Sequence, residues 1–168
     1  MKSIDFNADV GEGAGFDQQL IPLVSSVNIA CGAHAGDAQT MAEAMGVANA
    51  HGVVVGAHPG FADREHMGRR EIEMGTNQII ALVSDQLTIL KQHGNFRYVK
   101  PHGALYNLAA RDVRVAKAVV QAVESFDRSL ALMALAGSVL LEQGRSRGLR
   151  VVAEAFADRA YDRDGRLV

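Results

Sequence analysis

The sequence predicts an α/β protein built around a parallel β-sheet. Short β-rich segments alternate with longer amphipathic helical patterns along the 168 residues. Several of the short segments are continuously apolar, which is typical of parallel strands that are buried on both faces. Repeated βα units joined by right-handed crossovers form either an open doubly wound sheet or a barrel, and the sequence pattern leaves both topologies open.

Six segments are predicted as strands, and each is bounded by a helical pattern or by turn residues. They are residues 3–9, 26–31, 53–58, 97–102, 130–135 and 150–156. No linker, low-complexity tract or shift in composition separates them. We therefore expect residues 1–168 to form a single domain.

Four helices are predicted between these strands, because apolar residues at helical spacing follow a capping residue. The second helix starts at Thr76, ends before Gly94 and has the most regular apolar stripe. The fourth is short and ends near Gly148. The four predicted helix starts are Asp37, Thr76, Asp112 and Ser138.

The composition excludes several functional classes. The chain has 17 Lys and Arg residues against 19 Asp and Glu residues, so it lacks the basic surface that nucleic-acid binding needs. Its single cysteine, Cys31, cannot form an internal disulfide and is expected to pack in the core. The longest apolar stretch, residues 130–141, is shorter than the roughly 20 residues that span a bilayer. Residues 1–5 lack the apolar segment of a signal peptide, and we expect a cytoplasmic protein with no membrane partner.

Polar side chains follow the predicted strands at the point where each strand ends. Because the C-terminal ends of parallel strands open onto one crevice, we expect these side chains to converge. His34, His58 and His102 occupy three such positions, and together with Asp9 they form a donor set that suits a divalent metal ion. Histidines that are only hydrogen-bonded in the fold are the alternative.

Cationic side chains at the same edge indicate an anionic partner. Lys100 ends a predicted buried strand, so we expect it to pair with Glu154 or Asp9, or to bind an anionic part of a substrate. Guanidinium groups bind a carboxylate or phosphate through two parallel hydrogen bonds. The candidates for that contact are Arg69, Arg70 and Arg159. A solvated surface position is the alternative for the first two.

The glycine-rich segment 11–15 does not match a nucleotide-binding loop. It lacks the third glycine of the dinucleotide fingerprint, and no Gly-Lys-Ser/Thr triplet follows it. Asp9 and Glu12 beside it would also repel a phosphate group. The sequence therefore gives no position for a bound nucleotide.

Seven motifs, read together and in order, resemble the LamB/YcsF family. They are residues 7–12, 28–32, 34–37, 56–60, 68–70, 100–107 and 154–161, and the resemblance extends from about residue 4 to residue 168. It implies a distorted (β/α) barrel similar to that of polysaccharide deacetylases. Family members continue with further βα units, so we expect the barrel to be C-terminally incomplete in this chain.

The resemblance implies ATP-dependent hydrolysis of 5-oxo-L-proline to L-glutamate, performed together with 5-oxoprolinase subunits B and C. ATP is the cofactor that the resemblance implies, and the donor set of Asp9 and the histidines adds a divalent metal ion as a candidate cofactor. Asp9, Lys100 and His102 are the residues expected to be catalytic. Those expected to bind substrate are Asn7, Glu12, Asn28, Arg69, Arg70, Glu154, Asp158 and Arg159. Those expected to bind the metal are Asp9, His34 and His58.

Each catalytic residue has an expected role. Asp9 or His102 acts as the general base on water, and Lys100 neutralises negative charge that develops on the substrate. Two other functions stay open. One is a metal-dependent carbohydrate deacetylase or amidohydrolase that needs no ATP, and the other is a non-catalytic subunit that binds substrate and delivers it to its partners.

Overall fold

The computed structural model of the chain describes residues 4–163, 165 and 167. Within these residues one sheet of six strands runs in the order β1-β2-β3-β4-β5-β6, and every neighbouring pair is parallel. The strands are β1 (Asn7–Val10), β2 (Ser26–Ala30), β3 (Val54–His58), β4 (Tyr98–Val99), β5 (Ala131–Leu135) and β6 (Arg150–Glu154).

Six α-helices accompany the sheet in the part of the chain that the structure describes. They are α1 (Asp17–Leu20), α2 (Ala38–His51), α3 (Thr76–Lys91), α4 (Gly103–Arg111), α5 (Val113–Phe126) and α6 (Val139–Ser146). Two short 3₁₀ turns lie at Ile21–Leu23 and Arg64–His66. Among the described residues, no helix combines the length and the apolar character needed to cross a membrane.

The sequential strand order shows that the sheet is a curled half-barrel. When each parallel strand adds beside the previous one, right-handed crossovers place all the helices on the same, convex side. The two outermost strands also meet across the concave side, where Asn7 Nδ2 of β1 donates a hydrogen bond to Glu154 Oε1 of β6 over 3.1 Å. Of the two predicted topologies, the barrel type is therefore the observed one.

The main hydrophobic core fills the space between the convex face and the helices. Val27 and Ile29 of β2 are fully buried in it, as are Leu87 of α3 and Val119 of α5. A separate small apolar cluster of Tyr98, Ala131 and Met133 lies outside this core. Because side chains alternate along a strand, the residues between those of the main core face the concave side.

The predicted helix caps at Asp37, Asp112 and Ser138 are confirmed. Each side chain accepts a hydrogen bond from a backbone N–H in the first turn of its helix. The second predicted helix differs by one residue, because Gly75 is the N-cap and Thr76 is the first helical residue.

Three predicted strands differ from the structure by two or more residues at an end, and the other three differ by one residue. The strand predicted at 97–102 is only Tyr98–Val99, because Pro101 has no N–H to continue the ladder and His102 becomes the N-cap of α4. The first strand begins at Asn7 rather than at residue 3, which lies outside the described residues, and the last ends at Glu154 rather than at residue 156. Helices α1 and α4 were not predicted.

Candidate active site at the strand ends

A cavity of about 260 Å³ opens at the C-terminal ends of β1, β3 and β4. The segment that follows β6 closes its other side through Phe156 and Arg159. Its charged and titratable lining consists of Asp9, His58, Arg69, Lys100, His102, Tyr106 and Arg159. The convergence expected from the parallel strands is therefore present in the fold.

Lys100 is the centre of a buried polar network. Its Nζ lies 2.7 Å from Glu154 Oε1, 3.2 Å from Asp9 Oδ1 and 3.1 Å from Asn7 Oδ1. An ammonium group has three donor hydrogens, so these three oxygens satisfy it fully. The prediction that Lys100 pairs with Glu154 or Asp9 is confirmed, since it pairs with both.

The remaining polar atoms of this network also have partners. Asn28 Nδ2 donates to Asn7 Oδ1 over 2.6 Å and to Asp9 Oδ1 over 2.7 Å. The Tyr106 hydroxyl donates to Glu154 Oε2 over 2.8 Å. We refer to Asn7, Asp9, Asn28, Lys100 and Glu154 as the lysine network. Full pairing of this kind is what makes buried charges tolerable.

One oxygen of the lysine network faces outward to the cavity. Asp9 Oδ2 lies 3.4 Å from Nε2 of His58. Burial raises the pKa of Asp9, but His58, Lys100 and the Asn28 amide outweigh it and hold the pKa well below its usual range. Asp9 is thus an ionised carboxylate. Its Oδ1 is bonded to Asn28 and Lys100, and its Oδ2 faces the cavity and His58.

Backbone carbonyls fix the tautomers of two histidines. His58 Nδ1 lies 2.7 Å from the Lys100 carbonyl oxygen, and His102 Nε2 lies 2.8 Å from that of Met67. A carbonyl oxygen only accepts, so both of these nitrogens carry the hydrogen. In the neutral rings, His58 Nε2 and His102 Nδ1 are therefore bare acceptors.

These two bare nitrogens point at each other and at carboxylates. His58 Nε2 and His102 Nδ1 are 3.0 Å apart, and Glu12 Oε1 lies 3.1 Å from the latter. Burial raises the pKa of Glu12, but a hydrogen bond from His102, made when a proton lies on its Nδ1, and one from His34 hold that pKa below its usual range. His58 Nε2, His102 Nδ1, Glu12 Oε1 and Asp9 Oδ2 are thus four acceptor atoms that face one another. A proton or a cation must lie between them to offset their repulsion.

His34 faces Glu12 and His102. Its ring stacks on His102 with the centroids 3.8 Å apart, and its Nε2 lies 3.3 Å from Glu12 Oε1. Burial lowers the pKa of His34 to about 4, so the ring is neutral near pH 7. The acidic and imidazole groups that approach one another form two sets, Asp9–His58–His102 and Glu12–His34–His102. Of the predicted metal ligands, Asp9 and His58 share the first set and His34 belongs to the second.

A strained turn supports the histidines from behind. Met67 has φ of 52° and is the only non-glycine residue with positive φ among those described, and its carbonyl holds His102. The next residue, Gly68, has φ of 65°, and a Cβ there would lie 2.7 Å from the Cβ of His34. Only glycine lets this backbone approach the two rings so closely.

The predicted arginines separate into two groups. Arg69 and Arg159 line the cavity, and within the described residues neither guanidinium group makes a hydrogen bond or ion pair. Arg159 lies over the ring of Phe156, 6.0 Å from its centroid. Arg70 instead reaches Asp63 over 3.4 Å, and the exposed Asp158 does not line the cavity.

Other predicted substrate-binding residues are already occupied. Asn7, Asn28 and Glu154 give their polar atoms to the lysine network, and Glu12 faces His34 and His102. The tyrosines Tyr98 and Tyr106, which contact this network, were not predicted. Period-two alternation could have found Tyr98, because it lies two residues before Lys100 and shares its face of the strand.

The fold and the site define an α/β protein of the (β/α)-barrel type, with its polar site at the C-terminal strand ends as in barrel enzymes. The chain belongs to the LamB/YcsF family, whose sequence model matches residues 4–168. It is 47% identical over 173 residues to proteins named as the A subunit of 5-oxoprolinase, from Haemophilus influenzae strains PittEE and 86-028NP. Those alignments cover 100% of this chain and 71% of each relative.

A solved structure has the same fold. The crystal structure of a lactam utilization protein from Thermus thermophilus superposes with a TM-score of 0.94 at 45% sequence identity. The match covers 99% of this chain and 72% of that one.

Proposed function

We propose that the chain is a subunit of an ATP-dependent 5-oxoprolinase and takes part in opening the lactam of 5-oxo-L-proline to L-glutamate. The observation that carries the proposal is the strand-end site: a cavity of about 260 Å³ with a buried ammonium group, a free carboxylate oxygen and two bare imidazole nitrogens. It belongs to a chain that is similar over its whole length to proteins named as the A subunit of 5-oxoprolinase.

The reaction needs both activation of the amide and attack by water. Transfer of the γ-phosphoryl group of ATP to the lactam oxygen activates the ring carbonyl carbon. Water then adds to that carbon, the C–N bond breaks, and the nitrogen takes a proton. A second water releases phosphate from the acyl phosphate that results. The sum is 5-oxoproline, ATP and two waters giving glutamate, ADP and phosphate.

The site residues suit distinct parts of this reaction. The bare nitrogen of His102 or His58, or Asp9 Oδ2, accepts the proton from water as general base. Lys100 offers positive charge to the oxygen on which negative charge develops. Arg69 and Arg159 bind the carboxylate of 5-oxoproline, because their guanidinium groups line the cavity and make no hydrogen bond or ion pair among the described residues.

The other predicted substrate-binding residues take supporting roles. Asn7, Asn28 and Glu154 position Lys100 and Asp9, since their polar atoms are bonded within the network. Glu12 holds the histidines. Arg70 and Asp158 lie outside the cavity lining, and their role in substrate binding stays a prediction.

A divalent cation fits the converging acceptors of the site. Asp9 Oδ2, His58 Nε2 and His102 Nδ1 would hold it, with Glu12 as a further oxygen donor. The carbonyls on the outer ring nitrogens are the support that metal-binding histidines usually have. When bound, such an ion would act as a Lewis acid on a carbonyl or phosphoryl oxygen.

Partners and location complete the proposal. Subunits B and C of 5-oxoprolinase supply the remaining functions, including the nucleotide site that the sequence does not reveal. The complex acts in the cytoplasm, in keeping with one reduced and buried cysteine. A single domain over residues 1–168 stays a prediction.

The decisive test is ATP hydrolysis that depends on 5-oxoproline, measured for the chain alone and again with subunits B and C. Activity only in the mixture, with one glutamate formed per ADP, is the expected result. Turnover of an N-acetyl sugar or simple amide by the chain alone, abolished by a chelator, would instead establish the deacetylase alternative. Undiminished turnover by a complex carrying Asp9→Ala and His102→Ala would establish the non-catalytic binding subunit.

The cation is tested without an activity assay. We expect titration calorimetry to show Zn²⁺ binding to the purified chain, weakened at least about tenfold by His58→Ala. His51→Ala is the matched control, because His51 is exposed on α2 and lies outside both candidate metal-binding groups. Equal affinities for the His58→Ala chain and the control would remove the cation from the proposal.

A further inference from the structure

Four residues form one lateral row across the sheet. Asp9 of β1 is in register with Asn28 of β2, Asn28 with Gly56 of β3, and Gly56 with Tyr98 of β4. Residues in one such row point to the same face of a sheet. Asn28 bonds the Asp9 carboxylate, so this row faces the concave side and the site.

Gly56 leaves a gap in the row that the Tyr98 ring fills. A Cβ at Gly56 would lie 2.2 Å from Cε2 and 2.3 Å from Cζ of Tyr98. No side chain larger than hydrogen fits beneath the ring. The tyrosine therefore crosses over β3, and its hydroxyl reaches Asn28 on the strand beyond.

The Tyr98 hydroxyl completes the bonding of the Asn28 side chain. It donates to Asn28 Oδ1 over 2.7 Å and also lies 3.0 Å from the Val27 carbonyl oxygen. Asn28 is fully buried, and its Nδ2 donates to Asn7 and Asp9. With its oxygen held by Tyr98, the amide keeps both hydrogens directed at the network.

We propose that Tyr98 is a positioning residue, which acts through Asn28 to hold Asp9 Oδ1 and thereby turn Asp9 Oδ2 towards His58. Tyr98 does not line the cavity, so it contacts no reacting group. Gly56 is part of the same device, because it makes room for the ring. The inference rests on the proposed function in that it assigns Tyr98 a part in lactam opening.

The test uses the complex of the chain with its partner subunits and compares wild type with Tyr98→Phe. This substitution keeps the ring over Gly56 and removes only the hydroxyl. We expect kcat for 5-oxoproline to fall about tenfold and KM to stay within about twofold, because alignment of Asp9 is lost while the cavity lining is retained. Ser138→Ala is the matched control, since it removes another nearly buried hydroxyl that serves only as the cap of α6.

A double-mutant comparison separates positioning from a general loss of stability. If Tyr98 acts through Asn28, then Tyr98→Phe has no further effect on kcat in an Asn28→Ala chain. Losses that multiply in the double variant would overturn the inference. So would a wild-type kcat for Tyr98→Phe, or a fall no larger than that of Ser138→Ala.

A second readout does not depend on activity. The side-chain amide protons of Asn28, observed by ¹⁵N NMR in the chain alone, are expected to exchange with solvent at least about tenfold faster in Tyr98→Phe. Unchanged exchange overturns the inference. If the wild-type complex turns over no 5-oxoproline, it is the proposed function that fails, and the exchange rate still decides whether Tyr98 holds Asn28.

Discussion

The convex and concave faces of the sheet use alternate residues of the same strands, but different forces hold them together. In β2, Val27 and Ile29 lie in the apolar core under the helices. Ser26 and Asn28 are also buried, but their side chains make hydrogen bonds. Apolar packing is non-directional and tolerates exchange of similar volumes. A fully paired polar network does not, since removal of one partner leaves another buried group unsatisfied. Both faces therefore contribute to the stability of the fold, but only the concave face also sets the geometry of the site.

The sharpest way to break this comparison is Lys100→Ala. The substitution leaves Glu154, whose side chain is 4% exposed, and Asp9 without their cation. We expect the free energy of unfolding to fall by about 3–5 kcal/mol, because an unpaired buried charge is strongly destabilising. Urea unfolding measures this, with Lys117→Ala on the exposed side of α5 as a control expected to lie within about 0.5 kcal/mol of wild type. A Lys100→Ala chain as stable as the control would show that the network is not a buried, paired unit.

A core substitution on the convex side should separate stability from chemistry. Leu87 of α3 is fully buried in the main core, so Leu87→Ala is expected to cost about 2–5 kcal/mol of unfolding free energy. The kcat of the molecules that remain folded should be unchanged, because Leu87 belongs to the main core and does not line the strand-end cavity. Leu87→Met, which conserves volume, should cost less than about 1.5 kcal/mol. If kcat falls in proportion to the unfolding free energy in Leu87→Ala and Leu87→Met, the two faces of the sheet are not independent.

The smallest expected effects come from the same change made at two glycines. Gly46 is exposed on α2, and a Cβ there meets nothing within 4 Å, so Gly46→Ala should stabilise the chain by about 0.5–1 kcal/mol. Gly56→Ala should destabilise it by about 1–3 kcal/mol, because the new methyl group overlaps the Tyr98 ring. Thermal melts of the two variants measure the difference in sign. Two shifts in the same direction would contradict the placement of Tyr98 over Gly56.

Much of the convex half of the molecule could be predicted from the sequence. Strand-like runs, helical stripes and caps are local patterns, and Asp37, Asp112 and Ser138 cap helices as expected. Cys31 is buried as predicted, and burial raises the pKa of its thiol to about 12. Helix α4 was missed because it begins with Gly103 and has no side-chain cap, so its stability comes from packing rather than from local signals.

The concave half could be predicted only in part. Burial of Lys100 at a strand end implied a carboxylate partner, and it has two. The sequence could not predict the hydrogen bond between Asn7 and Glu154, because the two are 147 residues apart and meet only when the sheet curls. Strand order has no local signature either, so the sequence left the choice between a barrel and a doubly wound sheet open. Which histidines face Asp9 and which face Glu12 likewise depends on side-chain orientations, and the spacing of these residues in the sequence does not reveal them.

The most direct test of the account is the rate at which glutamate forms from 5-oxoproline in a complex that contains Asp9→Asn. The asparagine keeps the shape of Asp9 and an oxygen for Asn28 and Lys100, but it removes the carboxylate charge that faces His58. The rate is expected to fall at least about a hundredfold, with the chain folded and still assembled with its partners. A rate equal to that of the wild-type complex would contradict the claim that the strand-end site takes part in opening the lactam.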